Sequence, residues 1–263
     1  MNEVFRFQAC QAPLLVSIPH AGTLLDASLK DRLSESALGL PDTDWFVDRL
    51  YDWAPGLGAG MIVAERSRYV VDLNRPPDDV ALYDRPVPGL VPQVTFSGDP
   101  VYKRDPPGEF EIRRRLEAFW QPYHDALLAE LVRVRDLFGF VILFDAHSIR
   151  SEVPGLFEGR LPDLNLGTYD GRSASPGLVA AATEVLSASQ AYTHVVNGRF
   201  RGGYITRHYG RPENGVHALQ LEMAQAIYME ESPPRYNSAK ADPVRAVLKR
   251  LFARLLEWGD EHA

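Results

Sequence analysis

Stretches that are apolar at every position punctuate this chain, and each ends in polar residues that can carry chemistry. The longest is Phe140-Val-Ile-Leu-Phe144, which leads into Asp145-Ala-His-Ser148. A short run without polar positions predicts a strand buried on both faces, as in a parallel or mixed sheet. Leu14-Leu-Val-Ser-Ile18 repeats the arrangement and delivers Pro19-His20-Ala21-Gly22. Val4 to Gln8 alternates apolar with polar and predicts an edge strand. Further strands are predicted over Met61–Ala64, Tyr69–Arg75, Thr193–Val196 and His217–Glu222.

Helical spacing follows a different period. Asp42 or Thr43 is a candidate N-cap for a helix carrying Trp45, Val47, Leu50 and Tyr51, with Asp44 in its first turn. Glu109 to Leu137 places Phe110, Ile112, Leu116, Phe119, Leu127, Leu131 and Val134 on one stripe, and Pro122 predicts a kink or a break. Leu178–Ser189 and Asp242–Trp258 complete the helices. Loops are expected over 76–107, 150–177 and 197–211. A helix between two strands makes a crossover, so parallel pairing is favoured. The pattern holds no internal repeat or linker, so the expectation is one α/β domain over 1–263, with a mixed, largely parallel sheet flanked by helices.

Composition narrows the function. The 263 residues are 45% apolar and 24% charged, with a net charge of −7. An acidic balance argues against nucleic-acid and anionic-membrane partners. The single cysteine, Cys10, rules out an internal disulfide and a thiolate zinc site, and its strand-like setting reads as a small buried hydrophobe. The N-terminus lacks a signal-peptide pattern, and no apolar run approaches the ~20 residues of a membrane span. The expected location is the cytoplasm. The pattern does not set an oligomeric state.

Chemistry gathers where strands end. His20, His147 and Glu222 sit at three such ends and Asn74-Arg75 at a fourth, with Asp44 close behind His20 in the chain. Open α/β sheets bind ligands at the carboxyl ends of their strands. Two imidazoles and one carboxylate with an open position suit a catalytic divalent metal, zinc first. Glu222 is then a candidate general base and Arg75 a candidate oxyanion donor. The run 197–211 holds four Arg residues among glycines. Arg201, Arg207 and Arg211 are candidates for gripping a carboxylate, against the plainer reading of a solvated basic patch.

Taken in order, Pro19-His20-Ala21-Gly22, Asp42-Thr-Asp44, Ser67-Arg68-Tyr-Val-Val-Asp-Leu-Asn-Arg-Pro76, Asp145-Ala-His-Ser148, Gly202-Gly-Tyr-Ile-Thr-Arg-His-Tyr-Gly210 and Leu221-Glu222 resemble the N-formylglutamate amidohydrolase family. The resemblance implies hydrolysis of N-formyl-L-glutamate to formate and L-glutamate, the last step of one route of histidine breakdown. The family is similar in turn to the zinc carboxypeptidase and aspartoacylase folds, which use a His-x-x-Glu pair, a later His, an Asn-Arg pair and a Glu base. That likeness implies His20 and His147 as metal ligands, Asn74-Arg75 in the substrate site with Arg68 from the same motif, and Glu222 as base. Position 23, where the Glu of the pair belongs, is Thr23. The third ligand must come from elsewhere: Asp44 is the choice, with Asp42 and Asp48 behind it.

Three readings follow. The first is a metal-dependent deformylase acting on a small acidic N-acyl amino acid. The second keeps the chemistry with another acyl group, as an N-acyl amino acid deacylase or a carboxypeptidase-like hydrolase. The third is a non-catalytic module that binds acidic amino acids.

Overall fold

In this computed structural model, which describes residues 4–82 and 88–262, seven strands form one sheet. They are β1 (Phe5–Gln8), β2 (Leu14–Ile18), β3 (Gly60–Ala64), β4 (Val141–Ile149), β5 (Leu164–Gly167), β6 (His194–Val196) and β7 (Val216–Ala224), in the order β1-β3-β2-β4-β7-β5-β6. The central pairs β3–β2, β2–β4 and β4–β7 are parallel, as is β5–β6, while β1 on β3 and β5 on β7 are antiparallel. The sheet is therefore mixed and mostly parallel, with helices on both faces. A separate hairpin pairs Met229–Glu231 with Pro234–Tyr236.

Strand alternation sorts the residues between two cores. Leu14, Val16 and Ile18 of β2, Ile142, Phe144 and Ala146 of β4, and Leu219, Leu221 and Met223 of β7 pack with helices Pro176–Ala188 and Ser238–His262. The other face begins in the same way, with Leu15, Val141, Leu143 and Ala218 against the helix Gln121–Phe138. Each such side chain contributes ~1.5–3 kcal/mol of burial. Further along, that second face turns polar: Ser17, Asp145, His147, Gln220 and Glu222 occupy the next positions in the alternation and are all buried. The functional cleft lies at this changeover.

Several boundaries differ from expectation, each for a local reason. The helix after Asp42 shrinks to the single turn Val47–Leu50, preceded by Phe46 in the left-handed region, so Asp44 lies before it and not within it. Asp42 caps nothing; its Oδ2 accepts from the Tyr69 hydroxyl and the Phe96 N–H. Leu164–Gly167 is a strand inside a predicted loop, and Tyr204–Tyr209 forms a short helix in the Arg-Gly run. The stripe from Glu109 is interrupted by a π turn, Leu116–Trp120, just before Pro122, whose missing N–H breaks the regular ladder. Phe110 lies on that stripe yet is exposed. Residues 83–87 of the predicted 76–107 loop fall outside the described residues. No helix among the described residues is long and apolar enough to cross a membrane.

Tyr69–Arg75 is the main correction, being an irregular buried segment and not a strand. Its carbonyls find donors on side chains instead of a neighbouring strand. Arg115 donates to the oxygens of Tyr69 and Val70, His124 Nε2 to Leu73 at 2.9 Å, and Trp120 Nε1 to Arg75 at 3.0 Å. Buried backbone acceptors are thereby satisfied without a sheet ladder.

Candidate active site and metal centre

Three segments bring one ligand residue each to the carboxyl ends of β2 and β4. His20 follows β2, Asp44 precedes the turn at Val47, and His147 lies within β4. One ligand atom from each lies within 4.8 Å of the others, and all three residues are buried. His147 Nδ1 is 3.0 Å from Asp44 Oδ2, and His20 Nδ1 is 3.7 Å from the same oxygen. The loop is pinned by its backbone: Asp44 N–H donates to the His20 carbonyl at 3.0 Å, and Ser148 N–H donates to Asp44 Oδ2 at 3.1 Å.

The far ring nitrogens face other carboxylates. His20 Nε2 is 2.7 Å from Asp72 Oδ1, and His147 Nε2 is 3.1 Å from Asp145 Oδ2 and 3.0 Å from the Asn74 amide nitrogen. An imidazole whose Nε2–H is held by a carboxylate offers its Nδ1 lone pair, which is how metal-binding histidines are oriented. The orienting carboxylates are themselves held. Asp72 accepts from Arg68 at 2.6 Å and from the Asn74 N–H at 2.8 Å. Asp145 accepts from the Asn74 amide, the Thr206 hydroxyl and the Ser17 hydroxyl, each at 3.3 Å. The Asn74 amide cannot turn, because its Oδ1 accepts the Ile205 N–H. Gly203 must stay a glycine here: a Cβ would lie 2.5 Å from Asn74 Nδ2.

Charge accumulates in this pocket, and pairing sets its sign. Burial disfavours the charged form of Asp44, but hydrogen bonds from His147 and His20 and their charge hold its carboxyl well below the usual carboxylate range. Burial likewise opposes a charge on Asp72, yet Arg68, His20 and Arg75 outweigh it and lower the carboxyl strongly. His147 is desolvated too, but Asp145 and Asp44 raise it well above an ordinary imidazole. Glu222 goes the other way. It stands opposite His147 in the β4–β7 register, and burial pushes it up to about 8, opposed by His147 and assisted by Asp44. A buried, preoriented set of two imidazole nitrogens and a carboxylate is a donor set that fits a divalent ion of the zinc type.

These residues line a cleft holding about 590 Å³ of atom-free space, its open mouth included. His20, Asp44, His147, Glu222, Asn74, Arg75 and Arg68 all reach it. Arg68 is already engaged by Asp72, whereas Arg75 donates, among the described residues, to the carbonyls of Pro88 and Asn74. The other three predicted arginines do not line the cleft. Arg201 is exposed beside Asp170, Arg207 donates to the carbonyls of Gly202 and Leu82, and Arg211 caps the carbonyls of Arg207 and Gly210. Arg199, from the same run, is the one that reaches the cleft, with Phe200, Phe96 and Leu156 on the apolar wall. Neither reserve ligand joins the centre: Asp42 is bound to Tyr69 and Phe96, and Asp48 pairs with Arg6. Thr23 is exposed. Gln220 and Arg199 are not among the sequence-predicted site residues, and Asp72 and Asp145 enter there only within the motifs around Asn74 and His147. Alternation marks Asp145 and Gln220, each two residues before a candidate on the same strand face.

Known proteins agree with this architecture. Residues 12–229 match the family described as N-formylglutamate amidohydrolase. The chain is 50% identical to the N-formylglutamate deformylase of Pseudomonas putida, over 99% of its own length and 98% of the relative's. It is also 50% identical to the enzyme of the same name from Pseudomonas aeruginosa, over 99% of each chain. The crystal structure of an N-formylglutamate amidohydrolase from Ralstonia eutropha superposes with a TM-score of 0.81 at 25% identity, covering 98% of this chain and 97% of that one. A structure from Agrobacterium tumefaciens, 20% identical over 97% of this chain and 95% of its own with a TM-score of 0.73, shares the fold. With the family match spanning most of the sequence and the relatives aligned end to end, the chain belongs to the N-formylglutamate amidohydrolase family.

Proposed function

We propose that this protein hydrolyses N-formyl-L-glutamate to formate and L-glutamate with a divalent ion, zinc first, held by His20, Asp44 and His147. Such an ion, when bound, polarises the formyl carbonyl and lowers the pKa of a water to about 7. The remaining work falls to the chain's own groups. Asp72 and Asp145 fix the two imidazoles with Nδ1 toward the ion. Glu222, buried beside His147, takes a proton from the attacking water and returns it to the departing amine nitrogen as the C–N bond breaks. A carboxyl brought near neutrality by burial suits both transfers, and a neighbouring cation favours the carboxylate that begins the cycle. Arg75, which donates to the backbone carbonyls of Pro88 and Asn74, also donates to the developing oxyanion. Arg199 and Arg68 lend positive charge to a cleft that takes an acidic substrate. The reaction belongs to histidine breakdown in the cytoplasm.

The observation that carries this reading is the convergence of His20, Asp44 and His147, each imidazole with its own carboxylate, beside Glu222. A formate-release assay tests it. Thorough chelation should abolish release and zinc should restore it, and Glu222→Gln should lose about 10²–10⁴-fold while retaining metal. Activity that survives with no metal by elemental analysis would refute the metal claim. Faster turnover of N-acetyl- or N-succinyl-glutamate would transfer the assignment to a different acyl group.

A further inference from the structure

We propose that Gln220 recognises the side-chain carboxylate of the substrate, an inference that rests on the N-formylglutamate reading above. Gln220 lies two residues before Glu222 on β7, on the same sheet face, and is only 3% exposed. Its Oε1 accepts the Gly203 N–H at 2.7 Å, which fixes the orientation of the amide. Its Nε2 donates to no protein group among the described residues, yet it is not one of the polar atoms sealed from solvent. Gln220 lines the cleft beside Asn74 and Gly203. The site thus holds a preoriented N–H donor with no acceptor among the described residues.

With the oxygen end turned to Gly203, the end of the carboxamide left over is its NH₂, which only donates. It therefore selects an acceptor, a carboxylate or carbonyl oxygen, and turns away an amide NH₂ or an ammonium group. Position decides which acceptor. Two strand residues separate Gln220 from Glu222 by roughly 6–7 Å along one face. With the formyl carbon beside Glu222, an extended substrate directs its farther carboxylate along that span. The side-chain carboxylate, set further off by its methylenes, reaches it. Arg75 and Arg199 provide charge to this substrate, and the fixed donor adds a hydrogen bond that is stronger to a charged carboxylate than to a neutral carboxamide oxygen.

The test compares the zinc-loaded parent with Gln220→Glu on N-formyl-L-glutamate and N-formyl-L-glutamine. This substitution keeps an acceptor for Gly203 and replaces only the donor. KM for N-formyl-L-glutamate should rise about 10–100-fold with kcat little changed, while the glutamine derivative holds its KM or improves. Gln220→Met, which removes donor and acceptor together, should weaken the acid substrate more than the glutamine derivative and provides the same comparison should Gln220→Glu not fold. A preference between the two substrates that stays within about twofold of the parent's overturns the proposal. A parent that releases no formate from N-formyl-L-glutamate refutes the family-based reading instead. In that event calorimetry still reads the contact, and equal affinity of parent and Gln220→Glu for N-formyl-L-glutamate overturns the assignment of Gln220.

Discussion

His147 and His124 are almost equally buried, at 2% and 3% exposure, yet they are opposite kinds of histidine. His147 sits between Asp44 and Asp145, and these carboxylates overcome desolvation to favour its charged form. His124 stacks on Trp120 with ring centroids 3.8 Å apart, donates to the Leu73 carbonyl and faces the Tyr209 hydroxyl. Nothing there compensates for lost solvent, so burial, aided by His208 and only partly offset by the Leu73 carbonyl, pushes it down to about 3. Depth alone does not make a functional histidine. The partners do: carboxylates beside both nitrogens build a group that could hold a cation, whereas aromatic faces and a carbonyl build a strut.

Exchanging the two histidines for inert side chains tests that contrast most severely. His147→Ala should eliminate bound metal and reduce formate release to background, a loss of at least ~10³-fold, as expected when a metal catalyst is removed. His124→Phe should retain stoichiometric metal and lose about 1–3 kcal/mol of stability through the orphaned Leu73 carbonyl. Elemental analysis and denaturant melts read both. Equal metal loss in the two variants would break the distinction. A smaller effect is expected from the orienting carboxylate: Asp145→Asn should weaken zinc binding about 10–100-fold without removing a ligand, measured by competition with a chelator.

The gentlest probe is pH. For His124 the folded pKa lies below the ordinary imidazole value, so between about 6.5 and about 3 the unfolded chain binds more protons and stability falls as pH drops. His124→Phe should flatten that slope in melts at pH 7 and pH 5. Glu222 gives the reverse sign. Its raised folded pKa means that the metal-free protein loses stability as pH climbs from about 4.5 to about 8, and Glu222→Gln should remove that loss. An unchanged slope in either variant would show that the group titrates elsewhere.

Much of this architecture could be read from hydrophobic pattern. β2, β4 and β7 announce themselves because strands buried on both faces leave little room for polar residues, and their ends mark His20, His147 and Glu222. Asp44 could be proposed from its place just after His20, although the helix supposed to hold it is only a turn. Other features were hidden for physical reasons. Tyr69–Arg75 has the apolar content of a strand, and no local signal shows that its carbonyls are met by Arg115, Trp120 and His124. β5 spans four residues amid glycines and prolines, too short to establish a period. In the Arg-Gly run, composition suggests anion binding but not direction: Arg199 turns to the cleft while Arg201, Arg207 and Arg211 do not.

The segment from Tyr69 to Arg75 also limits what can be borrowed from this protein. Its backbone oxygens depend on donors that lie 45–51 residues further along the chain. A graft of His20, Asp44, His147 and Glu222 onto another sheet would leave behind the scaffolding that aims Asp72 and Asn74. The centre is not portable as a handful of ligands; the helix behind the wall has to travel with it.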